Sequence, residues 1–229
     1  MLRRSLTATG LMAGLLLCAN AFALDLSSLS QGDASGGLKD ALTQGAQVAV
    51  KQLGTPGGFS NNPDVRIELP GKLGKAAKTM KKFGMGGQVD ALETSMNQAA
   101  EAAMPQAQAL LVDAVKKMTV TDAKGILTGG NDSATQYLSK TSREQIRAKF
   151  LPIVKQATDK VGLAQKFNSF AGQAASLGVI DAKDSNLEGY VTEQALNGLF
   201  KEIANQEASI RKNPAQAATS LAKKVFSAL

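Results

Sequence analysis

The sequence predicts an all-α fold, a single compact bundle of about eight helices with one short extended arm, and three features carry that prediction. Apolar residues recur at every third or fourth position in successive segments between Leu38 and Phe226. Glycine, proline and asparagine separate these segments, and no pair of alternating runs is joined by a hairpin turn. The one alternating stretch, Val65, Ile67 and Leu69 interleaved with Arg66 and Glu68, is too short and too isolated for a sheet, so residues 65–69 are read as an arm lying on helices.

The chain opens on an address label. Arg3 and Arg4 precede an apolar run from Leu11 to Ala19, and Ala21-Phe22-Ala23 has the small-x-small form of a cleavage site. Residues 1–23 are therefore read as a signal peptide cleaved after Ala23, giving a periplasmic location. The run is too short to span a bilayer, and no later segment is long enough for a transmembrane helix. A lipid anchor on Cys18 would need a small residue before it, and Leu17 is large. Cleavage leaves 206 of 229 residues, enough for one well-buried domain at 38–229 after a leader at 24–37. Loss of Arg3 and Arg4 lowers the formal charge from +7 to +5. That excess suits an anionic lipid or glycan as partner, and it is too small and dispersed for nucleic acid.

The absences narrow the chemistry. The sequence has no His and no Trp, and its one Cys lies within the signal peptide. The mature chain therefore has no residues for a zinc site of the usual type, a His-activated nucleophile, a disulfide, or His- or Cys-ligated haem. No cofactor is expected, and packing must supply the stability.

Taken in order, residues 24–37 are rich in Ser, Gly and Asp and are read as a flexible leader. Leu38, Leu42, Ala46, Ala49 and Leu53 form the first helix, which Gly54 ends. Pro70 can open the next, where Leu73, Ala76, Ala77, Met80 and Phe83 make a stripe opposite Lys75, Lys78, Lys81 and Lys82, with Lys72 at its border. This is the one basic amphipathic segment. It suits contact with an anionic surface or partner, or a core-packed stripe with solvated lysines. Gly84, Gly86 and Gly87 suggest a joint.

Val89 to Met118 is the longest periodic run. Its many alanines imply close helix contact, and Pro105 implies a kink or two abutting helices. Asn97 and Glu101, four apart, share a face near the apolar stripe. Met118 to Leu138 then concentrates polar side chains: Thr119, Thr121 and Asp122 can start a short helix that Gly129 and Gly130 stop, and Asn131, Asp132 and Ser133 can cap a second carrying Ala134, Tyr137 and Leu138. The gap suits an anion at a helix start or a purely structural turn; no Lys follows the glycines as a phosphate loop would require.

Ser142 with Gln145 resembles a capping box for a helix running to Gly162, with Pro152 a kink. Leu163 to Ala174 continues helically. Asp181 to Glu188 is read as a turn, since its spacing does not fit a calcium loop. Tyr190 to Ile210 is a long amphipathic helix on which Glu207 and Arg211 are spaced to pair, and Asn213-Pro214 announces a last helix with Leu221, Val225 and Phe226.

Several motifs together carry a resemblance: Gly37-Leu38-Lys39-Asp40-Ala41-Leu42, Asn97-Gln98-Ala99-Ala100-Glu101, Phe150-Leu151-Pro152-Ile153-Val154, Gly198-Leu199-Phe200, and Ile210-Arg211 with Asn213-Pro214. In these the chain resembles an exported bacterial family known as domain of unknown function 4197. The resemblance implies an envelope or secreted location in Gram-negative bacteria and supplies no activity.

Two functions fit. One is a non-catalytic helical interaction module touching an envelope protein or an anionic lipid or glycan through Lys72, Lys75, Lys78, Lys81 and Lys82. The alternative is a carboxylate-dependent hydrolase of an envelope glycan, with Glu101 as acid and Asp122 or Asp132 as base, which requires two carboxyls facing an open groove. A structural role is expected for a buried cluster in which Asn97, Glu101, Thr119, Asp122, Asp132, Thr135 and Arg211 converge.

Overall fold

The computed structural model describes residues 26–119, 121, 123–176 and 187–229, and those residues form eight α-helices, two short 3₁₀ turns and no strand. The expected signal peptide at 1–23, Asp122 and most of the turn at 181–188 lie outside the described residues.

The first helix, α1 (Gln31–Leu53), corrects the leader reading for residues 31–37. Ser30 caps it, its Oγ accepting the Asp33 N–H at 2.9 Å, and Asp33 places a carboxylate in the first turn where the dipole favours it. The glycines that suggested a leader serve close packing instead. A Cβ on Gly37 would lie 2.6 Å from a Val225 methyl group, so this turn admits no side chain.

The arm is as expected in its alternation and unexpected in its bonding. Val65, Ile67 and Leu69 are buried while Arg66 and Glu68 are exposed. The side chain of Asn97 does the work of a neighbouring strand. Its Oδ1 accepts the Ile67 N–H at 2.9 Å, and its Nδ2 donates to the Ile67 carbonyl at 2.9 Å. Buried peptide groups must be paired, and one amide satisfies both polar groups of the central arm residue.

Next come α2 (Gly71–Lys82), preceded by Pro70 as N-cap, and α3 (Gly86–Lys117), which passes through Pro105 as one element of 32 residues. The short α4 (Ala123–Leu127) ends just before Gly129 and Gly130, as their position requires. The fifth, α5 (Ser133–Lys160), is continuous through Ser142 and Pro152. The capping-box reading of Ser142 is thus corrected: no helix breaker stands between Ser133 and Ser142, and Ser142 is buried in mid-helix.

Helices α6 (Leu163–Ser176) and α7 (Leu187–Lys212) follow. Pro214 opens only a 3₁₀ turn, Pro214–Gln216, and α8 (Ser220–Phe226) starts later, capped by Thr219, whose Oγ1 accepts the Ala222 N–H at 3.0 Å. The core is built from α1, α3, α5 and α7, with α8 closed onto α1 and α6 along α3. Helix α2 sits at the edge, packed on α3 and α6 through Ala76, Ala77 and Met80.

Candidate functional site

The expected polar cluster resolves into two separate nodes that share no hydrogen-bond partner among the described residues. In the first, α3 presents Asn97 and Glu101 one turn apart to the segment between α1 and α2. Glu101, only 6% exposed, accepts the backbone N–H groups of Phe59 and Ser60, both at 3.1 Å, and the Ser60 hydroxyl at 3.0 Å. With Asn97 holding Ile67, these two side chains fasten the whole 55–70 segment onto α3.

The second node joins α4, α5 and α7. Glu207 of α7, 3% exposed, accepts the first N–H groups of α5 from Ala134 at 3.0 Å and Thr135 at 2.8 Å, and the Thr135 hydroxyl at 2.7 Å. Arg211, one turn on, donates to the same carboxylate at 2.8 and 2.9 Å and to the carbonyls of Leu127 and Ile126 at the end of α4. A carboxylate thus meets the positive end of one helix and a guanidinium the negative end of another, each the favourable sign. The second of these arrangements explains why Ser133 is there: its Oγ accepts from Arg211 at 2.8 Å and donates to Ile126.

Other expected members of the cluster stand apart. Thr119 is exposed, and its carbonyl accepts the Tyr137 hydroxyl. Asp132 precedes α5 without a side-chain cap, and its carboxylate accepts the Gln136 side-chain amide at 2.8 Å. The helix start already has its anion in Glu207, which supplants Asp132 by reaching from another helix.

A third polar contact joins α5 to α7. Glu193 on α7 accepts from Arg143 at 3.0 Å and from Arg147, both on α5, and Arg143 also reaches Asn197 and lies over the Phe200 ring. Partial burial alone would raise the Glu193 pKa, and the two guanidinium hydrogen bonds overcome it and hold the group below the usual carboxylate range. The i, i+4 spacings Arg143/Arg147 and Glu193/Asn197 were the available signal, but nothing in a single sequence says which helix faces which.

The lysine helix divides. Lys81 bonds Asp90 at 2.9 Å and lies 3.7 Å from Glu93, itself 3.3 Å from Arg66, so Lys81 fastens α2 to α3 and is no longer free for an outside anion. The hydrogen bond to Asp90, only partly opposed by desolvation, raises its pKa. Lys72, Lys75, Lys78 and Lys82 are exposed, have no ion pair among the described residues, and at 100° per residue fall within an arc of about 120°. Phe83 departs from its expected place on the buried stripe. It caps the C-terminus of α2 at 68% exposure, before a left-handed Gly84 (φ 77°), and among the described large apolar residues only it and the terminal Leu229 stand out into solvent.

These placements decide what the polar residues can do. Glu101 spends its acceptors on backbone and hydroxyl donors in a closed interior, so it lacks the open groove a glycosidase acid needs. The anion-suited gap before α5 is filled by the protein's own Glu207. Among the described residues no group of three Asp, Glu, His or Cys side chains is placed to hold a metal ion, and no helix is long and apolar enough to cross a membrane.

A family model described as a protein of unknown function, DUF4197, matches residues 28–227. The match spans most of the chain, and the chain belongs to that family. No curated protein and no solved structure matches it.

Proposed function

We propose that this member of the DUF4197 family is an exported, non-catalytic interaction module of the periplasm that docks on an anionic lipid surface through α2 and Phe83. The observation that carries the proposal is a protruding aromatic ring at the end of a helix whose outer arc holds four lysines with no ion pair among the described residues. Burying a phenyl side chain is worth about 1.5–3 kcal/mol, a gain still open to Phe83 on contact with an apolar phase. Ammonium groups attract an anionic headgroup layer by about 1 kcal/mol each, and an apolar side chain beside them can enter the boundary between headgroups and acyl chains. Helix α2 is also a peripheral element, so docking through it leaves the core undisturbed.

The test is co-sedimentation with vesicles of phosphatidylglycerol and phosphatidylcholine, against pure phosphatidylcholine. Binding is expected only to the anionic vesicles, and to fall as salt shortens the Debye length. Changing Lys72, Lys75, Lys78 and Lys82 to Gln should weaken partitioning by about 100-fold or more, and Phe83→Ser by about tenfold. Lys81 is left intact because it holds α2 in place. Equal partitioning of wild type and the fourfold variant refutes the proposal.

A further inference from the structure

The α3 stripe predicted from the sequence is buried from Val89 to Ala107, yet Leu110 and Ala114 on the same face are only half buried. There the helix parts from α5 and leaves a cleft of roughly 320 Å³. Leu110, Ala114, Met118 and Ile146 give it an apolar floor, and the Tyr137 ring and the Thr141 and Ser142 hydroxyls form part of its wall. Tyr137 is fixed by its hydroxyl bond to the Thr119 carbonyl, so this wall is preformed.

The rim is basic. Lys117 and Lys149 flank the opening, and Asp113 answers only one of them, pairing with Lys117 at 2.8 Å. The Lys117 hydrogen bond and the fields of Lys117, Lys149 and Lys116 all lower the Asp113 pKa, so the carboxylate sits in an excess of positive charge. Lys149 is exposed and has no ion pair, and the exposed Gln145 amide beside it has no hydrogen bond, among the described residues.

We infer that this cleft binds a single-chain amphiphile with one anionic head, of the class of medium-chain carboxylates, its tail on the Leu110–Ile146 floor and its head at Lys149 and Gln145. The volume is at the lower end for small-molecule sites, about 300–1,000 Å³, which fits one acyl chain and excludes a two-chain lipid. A lysine and a primary amide on the rim supply donors for a carboxylate. The site is independent of the membrane-docking surface. Ala114 and Gly86 are 28 residues apart on α3, so the cleft lies about 40 Å along that helix from the Phe83 end.

The experiment is titration of the isotope-labelled protein with sodium octanoate below its micelle concentration, read as amide shifts by NMR, with octanol as neutral control. Saturable shifts confined to residues around Ala114 and Ile146 are expected, with octanol about tenfold weaker and Lys149→Gln weakening octanoate about tenfold, the worth of one charge-assisted hydrogen bond. Ala114→Phe should fill the floor and abolish the shifts. Should that variant fail to fold, Lys149→Gln, a surface change, still decides. Shifts that rise linearly without saturating, octanol binding as well as octanoate, or octanoate binding unchanged in Lys149→Gln each overturn the inference.

Discussion

Substituting Glu207 by Ala is the sharpest test of how this fold is held. The wild-type carboxylate is 3% exposed and accepts five hydrogen bonds: two from the first peptide groups of α5, one from Thr135 and two from Arg211. Removing it leaves two helix-start N–H groups without acceptors and the Arg211 guanidinium, 8% exposed at its side chain, without its anion. Arg211 keeps the α4 carbonyls and Ser133, which limits the loss. Breaking one side of a buried pair costs about 3–5 kcal/mol. For a domain of this size each kcal/mol moves Tm by about 2–4 °C, so Glu207→Ala should lower Tm by about 10 °C. Glu207→Gln keeps the shape and one acceptor oxygen and should lose about half as much. In a thermal melt followed by circular dichroism, Arg211→Ala combined with Glu207→Ala should show a coupling of about 1–3 kcal/mol. A Tm lowered by less than about 2 °C in Glu207→Ala, or strictly additive single and double changes, refutes the reasoning.

Three other outcomes follow from the same packing. Glu101→Ala should destabilise by about 2–4 kcal/mol, because the Phe59 and Ser60 N–H groups lose their acceptor, and hydrogen exchange at those two amides should accelerate more than at the Ile67 amide, which Asn97 still holds. Gly37→Ala should destabilise by about 1–3 kcal/mol through its clash with Val225, whereas Gly172→Ala in α6, where an added Cβ meets nothing within 4 Å, should stabilise by about 0.4–1 kcal/mol; equal urea midpoints for the two would contradict the assigned contact. The depressed pKa of Glu193 means that its ionised form stabilises the fold at pH values above the ordinary 4.5, and that this contribution is lost as pH falls through the lower folded value. The difference in unfolding free energy between wild type and Glu193→Gln, from urea melts, should therefore be flat above pH 4.5, amount to about 1 kcal/mol or less for this partly exposed group, and shrink in more acid buffer.

Much of the fold was legible because helix periodicity is a local property. The α1 and α7 stripes lie on the core face as their spacing predicts, those of α2 and α3 do so apart from the exposed Phe83 and the half-buried Leu110 and Ala114, and the alternation of Val65, Ile67 and Leu69 is real. Errors arose where a residue's role is set by a distant partner. Residues 31–37 read as a leader because Gly36 and Gly37 carry no stripe, yet their smallness is what α8 requires. Ser142 and Asn213-Pro214 have the composition of helix starts, but no breaker precedes Ser142, and the chain after Pro214 makes only a 3₁₀ turn. Asn97 and Glu101 both meet the 55–70 segment, whereas Thr135 and Arg211 meet Glu207, and spacing along one helix says nothing of which loop it meets. The Glu207–Arg211 pair was legible from its i, i+4 spacing; that Glu207 caps another helix was not.

The three buried acids, Glu93, Glu101 and Glu207, act as internal fasteners of this fold. With no disulfide and no metal-ligating histidine available, the irregular joints between helices need some other fastening. Glu101 fastens the 55–70 segment and Glu207 the α4–α5 joint, each by accepting backbone N–H groups that would otherwise be orphaned, while Glu93 holds Arg66 and draws in Lys81. A carboxylate used in this way has its lone pairs occupied by structural donors, whereas a general acid must lie within hydrogen-bond reach of substrate. Fastening the joints inside leaves the charges outside unspent. The lysines of α2, apart from Lys81, and Lys149 at the cleft mouth have no carboxylate within ion-pair distance among the described residues, and Phe83 is left 68% exposed. The polar chemistry of the interior is therefore spent on structure, and the lysines without an ion pair among the described residues lie on the surface, toward the two ends of α3.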